Sequence, residues 1–99
     1  MRKAATNFIV NEVESQFELH LEGTIAFLEF VSKENTVYLT HTSVPKDLER
    51  QGVGSQLVQN TLDHLKKTHR EVLPLCSFVA YYIDNHPEYH SLLSEGYQM

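Results

Sequence analysis

Apolar positions alternate with polar ones through the first half of the chain and recur at helical spacing through much of the second. Phe8 and Val10 alternate in a short first strand. Phe17, Leu19 and Leu21 alternate with Glu18, His20 and Glu22, which predicts a second strand with one face in water. Gly23 marks the break. Thr24 to Val31 is apolar on both parities, with Ile25 and Phe27 against Ala26, Leu28 and Phe30, the pattern of a strand covered on both sides. After the polar turn Lys33-Glu34-Asn35, the β-branched run Val37 to Val44 makes a fourth strand. Strands in sequence joined by short turns predict an antiparallel meander.

Beyond Pro45 the period changes. Val53, Leu57, Val58, Leu62 and Leu65 form an apolar stripe, while Gln56, Gln59, Asp63, Lys66 and Lys67 fall elsewhere on the wheel, so an amphipathic helix is expected from Val53 to Thr68. Val72 to Leu75 is a short fifth strand carrying Pro74, which cannot donate a ladder hydrogen bond. Ser77 can cap a second helix with the apolar face Phe78, Val79, Tyr82 and Ile83, ending near Asn85 because Pro87 disfavours helical geometry at His86. Pro87 suits the first turn of a last short helix through Leu92 and Leu93, closed by Gly96. The predicted order is β-β-β-β-α-β-α-α.

Composition narrows the picture. With 99 residues and no linker-like stretch, residues 1–99 read as one domain. Thirteen acidic against eight basic residues give a net charge of −5, which disfavours nucleic acid and anionic membranes and would attract a basic substrate. One cysteine, Cys76, cannot form an internal disulfide and fits a reducing compartment. Neither a signal peptide nor an apolar run of roughly 18 residues is legible. A soluble, cytoplasmic monomer is expected.

The candidate chemistry centres on Glu49-Arg50-Gln51-Gly52-Val53-Gly54-Ser55, a glycine turn opening a helix. Without Cβ atoms at Gly52 and Gly54 a phosphate can approach the backbone, and the amides of Val53 to Ser55 point at it from a helix N-terminus. The bland alternative is a turn that only joins strand to helix. Two nucleotide motifs are excluded: no Gly-Lys-Ser or Gly-Lys-Thr is present, and Leu57 stands where the dinucleotide fingerprint has its third glycine. Cys76 precedes the second helix, whose dipole favours the thiolate and makes a nucleophile of it; the alternative is a small buried apolar residue. His41, on the parity of Val37 and Leu39, is either a packed strand histidine or a cleft residue acting as general base or orienting Cys76. His86 and His90 have Pro87 between them and no third ligand, so no metal site is read. Tyr82 shares the apolar face and Tyr81 does not.

The segment Val44 to Val58, with the strand before it and the helix after it, resembles the acetyl-CoA signature of the Gcn5-related N-acetyltransferases. Pro74-Leu75-Cys76-Ser77-Phe78-Val79, followed by His86-Pro87-Glu88-Tyr89, resembles a subfamily of about this length, the YjdJ-type minimal acetyltransferases. The resemblance covers nearly the whole chain. It implies an α+β fold with a mixed, mostly antiparallel five-stranded sheet whose fourth and fifth strands splay, with the pantetheine arm of acetyl-CoA between them. It further implies an acetyl-CoA-dependent N-acetyltransferase. Arg50, Gln51, Gly52, Val53, Gly54 and Ser55 would hold the pyrophosphate. Backbone groups around Thr42, Ser43 and Val44 would bond pantetheine, and Cys76 would lie where the thioester sits. Asn85 could bond the pantetheine amides or simply be the asparagine before a proline turn. His41 stands beside them as the catalytic candidate that its strand position offers. This chain departs from the signature at Glu49, where Gln or Arg is usual, and lacks the helices that shape the acceptor site in larger members. The rival reading is a non-catalytic CoA-binding or protein-interaction module with the same fold.

Overall fold

The computed structural model describes residues 7–94. Strands β1 (Asn7–Asn11), β2 (Gln16–Leu21), β3 (Thr24–Lys33) and β4 (Thr36–Ser43) form an antiparallel meander. A 3-10 turn (Lys46–Leu48) leads into helix α1 (Val53–Lys67), which crosses over to β5 (Glu71–Pro74), parallel to β4 at the sheet edge. Helix α2 (Ser77–Asp84) and a 3-10 helix (Pro87–Leu92) follow. The sheet order is β1-β2-β3-β4-β5, so the α+β class and the mixed, mostly antiparallel five-stranded sheet expected from the sequence are both observed. The last helix is 3-10 rather than α, and Gly96, expected to close it, lies outside the described residues.

One core fastens the layers. The stripe Val53, Leu57, Val58, Leu62 and Leu65 of α1 is buried against Leu19, Leu28 and Leu39 of the sheet, and Val79 and Ile83 of α2 join the same cluster. Each such side chain removed from water contributes about 1.5–3 kcal/mol relative to an exposed position. Tyr89 is tied to this layer by its hydroxyl, which donates to Asp63 Oδ1 at 2.6 Å. Burial and the neighbouring Asp63 push that phenol well above its ordinary range. No helix among the described residues is long and apolar enough to cross a membrane.

Two strand readings are corrected. β3 is covered on one face only: Ala26, Leu28 and Phe30 are buried, while Ile25 and Val31 on the other parity are 42% and 57% exposed. The apolar run at this position therefore does not mark a second packed layer. Conversely, the face of β2 read as wet hides Glu18, which is buried. Its carboxylate accepts from Asn11 Nδ2 at 2.8 Å and meets His20 Nε2 at 2.7 Å. The His20 contact, with help from Asn11, outweighs burial and holds the Glu18 carboxyl below its usual range.

The feature that shapes the site is a β-bulge. Glu29 pairs with His41 but Phe30 pairs with Leu39, so Thr40 is an extra residue in β4. Its hydroxyl donates to the Glu29 carbonyl at 3.2 Å. The extra residue inverts the alternation beyond it. Thr42, opposite Leu28, takes the helix-facing parity, and His41, opposite Glu29, takes the other. The expected parity of His41 with Val37 and Leu39 is thereby overturned.

Candidate active site

The β4 and β5 ladder ends at the pair Leu39 and Pro74. The amides of Leu75 and Cys76 both turn back to the Leu39 carbonyl, at 2.9 and 3.0 Å, while β4 runs on through Ser43. The strands part there, and a cavity of about 520 Å³ opens between the end of β4 and the N-termini of α1 and α2. β4 and its exit contribute His41, Thr42 and Val44. The loop and first turn of α1 contribute Glu49, Gly52, Gly54 and Ser55, and the start of α2 contributes Cys76, Ser77 and Phe78.

The two glycines answer different demands. Gly52 is the N-cap of α1 with φ +76°, a left-handed conformation, and a Cβ there would meet nothing within 4 Å. Gly54 is buried, and a Cβ there would stand 3.1 and 3.2 Å from Cζ and Cε2 of Phe78 and 3.4 Å from Cγ2 of Val44. Gly54 thus admits the Phe78 ring, a packing reason the sequence did not suggest. Gly52 offers no capping side chain, the first turn holds no acidic residue, and the Gln56 amide closes it on the Gly52 carbonyl at 3.0 Å. Among the described residues the cap therefore leaves the amides of Val53, Gly54 and Ser55 without a side-chain acceptor, the arrangement that suits an anion. The loop before them is shaped locally: Leu48 and Gln51 amides reach the Pro45 and Leu48 carbonyls at 2.9 and 3.1 Å.

Cys76 is the N-cap of α2, half-buried on the opposite wall. Its sulfur lies 3.3 Å from Thr42 Oγ1, a contact made possible by the bulge that turns Thr42 inward. No cap hydrogen bond to the side chain is geometrically complete. Burial opposes ionisation of the thiol. The Thr42 hydroxyl and the amides of Val79, Phe78 and Thr42 outweigh it and lower the thiol below its ordinary value.

The structure brings together seven residues singled out in the sequence: His41, Thr42, Val44, Gly52, Gly54, Ser55 and Cys76 all border the cavity. His41 is exposed at its rim, and the side-chain hydrogen bond to Cys76 comes from Thr42 instead. Ser43, Arg50, Gln51, Val53 and Asn85 do not line it. The Val53 side chain is in the core, and Ser43 pairs across to Phe27. Arg50 is exposed, and Gln51 Nε2 donates to the Asp47 carbonyl at 3.3 Å. Asn85 ends α2 and donates from Nδ2 to the Tyr81 carbonyl at 2.9 Å, with its side chain occupied in the cap.

Ser77 and Phe78 were not foreseen as lining residues. The apolar pattern puts Phe78 on the buried face, yet it is 40% exposed, because only Val79 and Ile83, four apart, point into the core. Reading that narrower pair as the buried stripe would have freed Phe78 for the cavity. Among the described residues no group of three or more His, Cys, Asp or Glu could hold a metal ion.

The sequence profile of the GCN5-related N-acetyl-transferases matches residues 16–92. Among solved structures, a GCN5-like protein from Staphylococcus aureus, determined in solution by NMR, is similar over 99% of this chain and 98% of its own, with a TM-score of 0.67 and 19% identity. At that identity the likeness speaks for the fold. Comparison with curated proteins found no matching relative.

Proposed function

We propose that this chain, which belongs to the GCN5-related N-acetyltransferase family, moves an acetyl group from acetyl-CoA to an amine within the cavity between β4, α1 and α2. The observation that carries this reading is the meeting, in one cavity, of the amide cradle at the start of α1 and the half-buried thiol of Cys76, held below its ordinary value by the Thr42 hydroxyl and neighbouring amides. The first suits the diphosphate of CoA, and the second suits a reacting thioester.

The amides after Gly52 and Gly54 hold the diphosphate, and the edge of β4 from Thr42 to Val44, which β5 has left, bonds the pantetheine arm. A backbone N–H there stabilises the oxyanion that forms as the thioester carbonyl is attacked. The Cys76 thiolate attacks that carbonyl carbon, a sulfur–carbon bond forms as the bond to CoA breaks, and CoA leaves as a thiolate that takes up a proton. An amine then attacks the acetyl-cysteine, returning the Cys76 thiolate and losing its own proton. His41, exposed at the rim, is the base for that proton. In the competing route the amine attacks the thioester directly and Cys76 stays unmodified.

The net charge of −5 supports a cationic acceptor, a lysine side chain or a small amine. The lone thiol supports a reducing cytoplasm. Intact mass after incubation with acetyl-CoA tests the proposal. Gain of one acetyl group, lost in Cys76→Ser, is expected. An unmodified protein that still acetylates an amine selects direct attack. Absence of both a mass change and a thermal shift with acetyl-CoA refutes the cavity's assignment and leaves a non-catalytic protein-interaction module.

A further inference from the structure

The amide cradle has a charged neighbour of the wrong sign for a phosphate. Glu49 borders the cavity together with Gly52 and Ser55, and among the described residues no lysine or arginine does. Among the described residues its carboxylate has no hydrogen bond and no ion pair. Its backbone is fixed, with helical φ −62° and ψ −28° and its amide bonded to the Lys46 carbonyl at 3.3 Å. The two residues that follow do not compensate: Arg50 is outside the cavity wall, and Gln51 donates to Asp47.

An anion seated on the amides of Val53 to Ser55 therefore lies in the field of an unneutralised carboxylate. We propose that Glu49 is a specificity-determining residue of this cavity: its charge weakens the hold on the diphosphate end of CoA, so that binding rests on the pantetheine thioester arm. The inference rests on the reading of the cavity as a CoA slot. It has a consequence for turnover, because the product CoA carries the same diphosphate and is released more readily than it would be from a cationic loop.

Two ligands and two variants test it. Glu49→Gln removes the charge while keeping the size, and Glu12→Gln removes one charge from the exposed rim of the hollow at the far end of α1, leaving the net charge equally changed. A unit charge several ångströms from a phosphate at a wet surface alters affinity by roughly 3- to 10-fold. Titration with CoA is expected to show Glu49→Gln binding about 3- to 10-fold tighter than wild type and Glu12→Gln within about twofold of it. Acetyl-pantetheine, which lacks the diphosphate, is expected to bind all three proteins alike. Unchanged or weaker CoA binding by Glu49→Gln overturns the proposal, as does an equal gain for acetyl-pantetheine. If CoA binds none of the three proteins, the reading of the cavity itself fails and takes this inference with it.

Discussion

Alanine at each of the two loop glycines separates two physical reasons for glycine. At Gly52 the space is open, but φ is +76°, and an L-residue in that left-handed conformation costs about 1–2 kcal/mol. At Gly54 the conformation is helical and the space is not open: the new methyl would meet the Phe78 ring at 3.1 and 3.2 Å, closer than ordinary contact. Overpacking of this kind costs about 1–3 kcal/mol where neighbours cannot yield. Phe78 is 40% exposed and borders the cavity, so it yields by moving into it. The better helix propensity of alanine offsets up to about 1 kcal/mol of what remains. Gly52→Ala should thus lower stability by about 1–2 kcal/mol, a fall in Tm of roughly 5–10 °C for a domain of this size. Gly54→Ala should stay within about 1 kcal/mol of wild type and lose affinity about tenfold as the ring intrudes. Urea denaturation and calorimetric titration of each variant measure both quantities. The reasoning is refuted if Gly54→Ala binds as wild type, or if Gly52→Ala is as stable as wild type.

Three further outcomes follow from the same contacts. Thr42→Val removes the hydroxyl 3.3 Å from Cys76 Sγ, so the pH at which iodoacetamide alkylates Cys76 should rise, while Thr42→Ser should restore the wild-type profile. Glu18 has its folded pKa below the unfolded value near 4.3, so its contribution is complete above that value and is lost as pH falls through the folded one. Denaturation at a series of acidic pH values should show Glu18→Gln with a flatter loss of stability below pH ~4.3 than wild type. Thr61 is fully buried in α1 with a hydroxyl that has no hydrogen-bond partner among the described residues, so Thr61→Val should stabilise by about 1 kcal/mol in urea denaturation.

The element order was legible because period carries it. The β2 strand and the α1 stripe are both marked by positions that must be buried, and both elements lie where the sequence puts them. Period failed where local geometry breaks it. Nothing in Leu39-Thr40-His41-Thr42 announces a bulge, yet the bulge decides that Thr42, not His41, reaches Cys76. A run apolar on both parities implies a strand covered on both sides, yet Ile25 and Val31 are exposed because no packed layer lies over them. Glu18 shows the converse, a buried carboxylate held by Asn11 of the neighbouring strand and His20 of its own. In the site, Gly52 and Cys76 could be found from residue type and position. Phe78 and the packing role of Gly54 depend on how α1 and α2 meet, a tertiary contact that neither helix encodes by itself.

The central claim is that the cavity at the parting of β4 and β5 is where acetyl-CoA binds. Amide chemical shifts followed during titration with acetyl-CoA address it directly. Saturable shifts are expected at Thr42, at Val53, Gly54 and Ser55, and at Cys76 to Phe78, with Ile25, Val31 and the hollow lined by Glu12 and Arg70 unmoved. Absence of saturable shifts, or shifts centred on the open face of β3 or on the hollow beside Arg70, would contradict it.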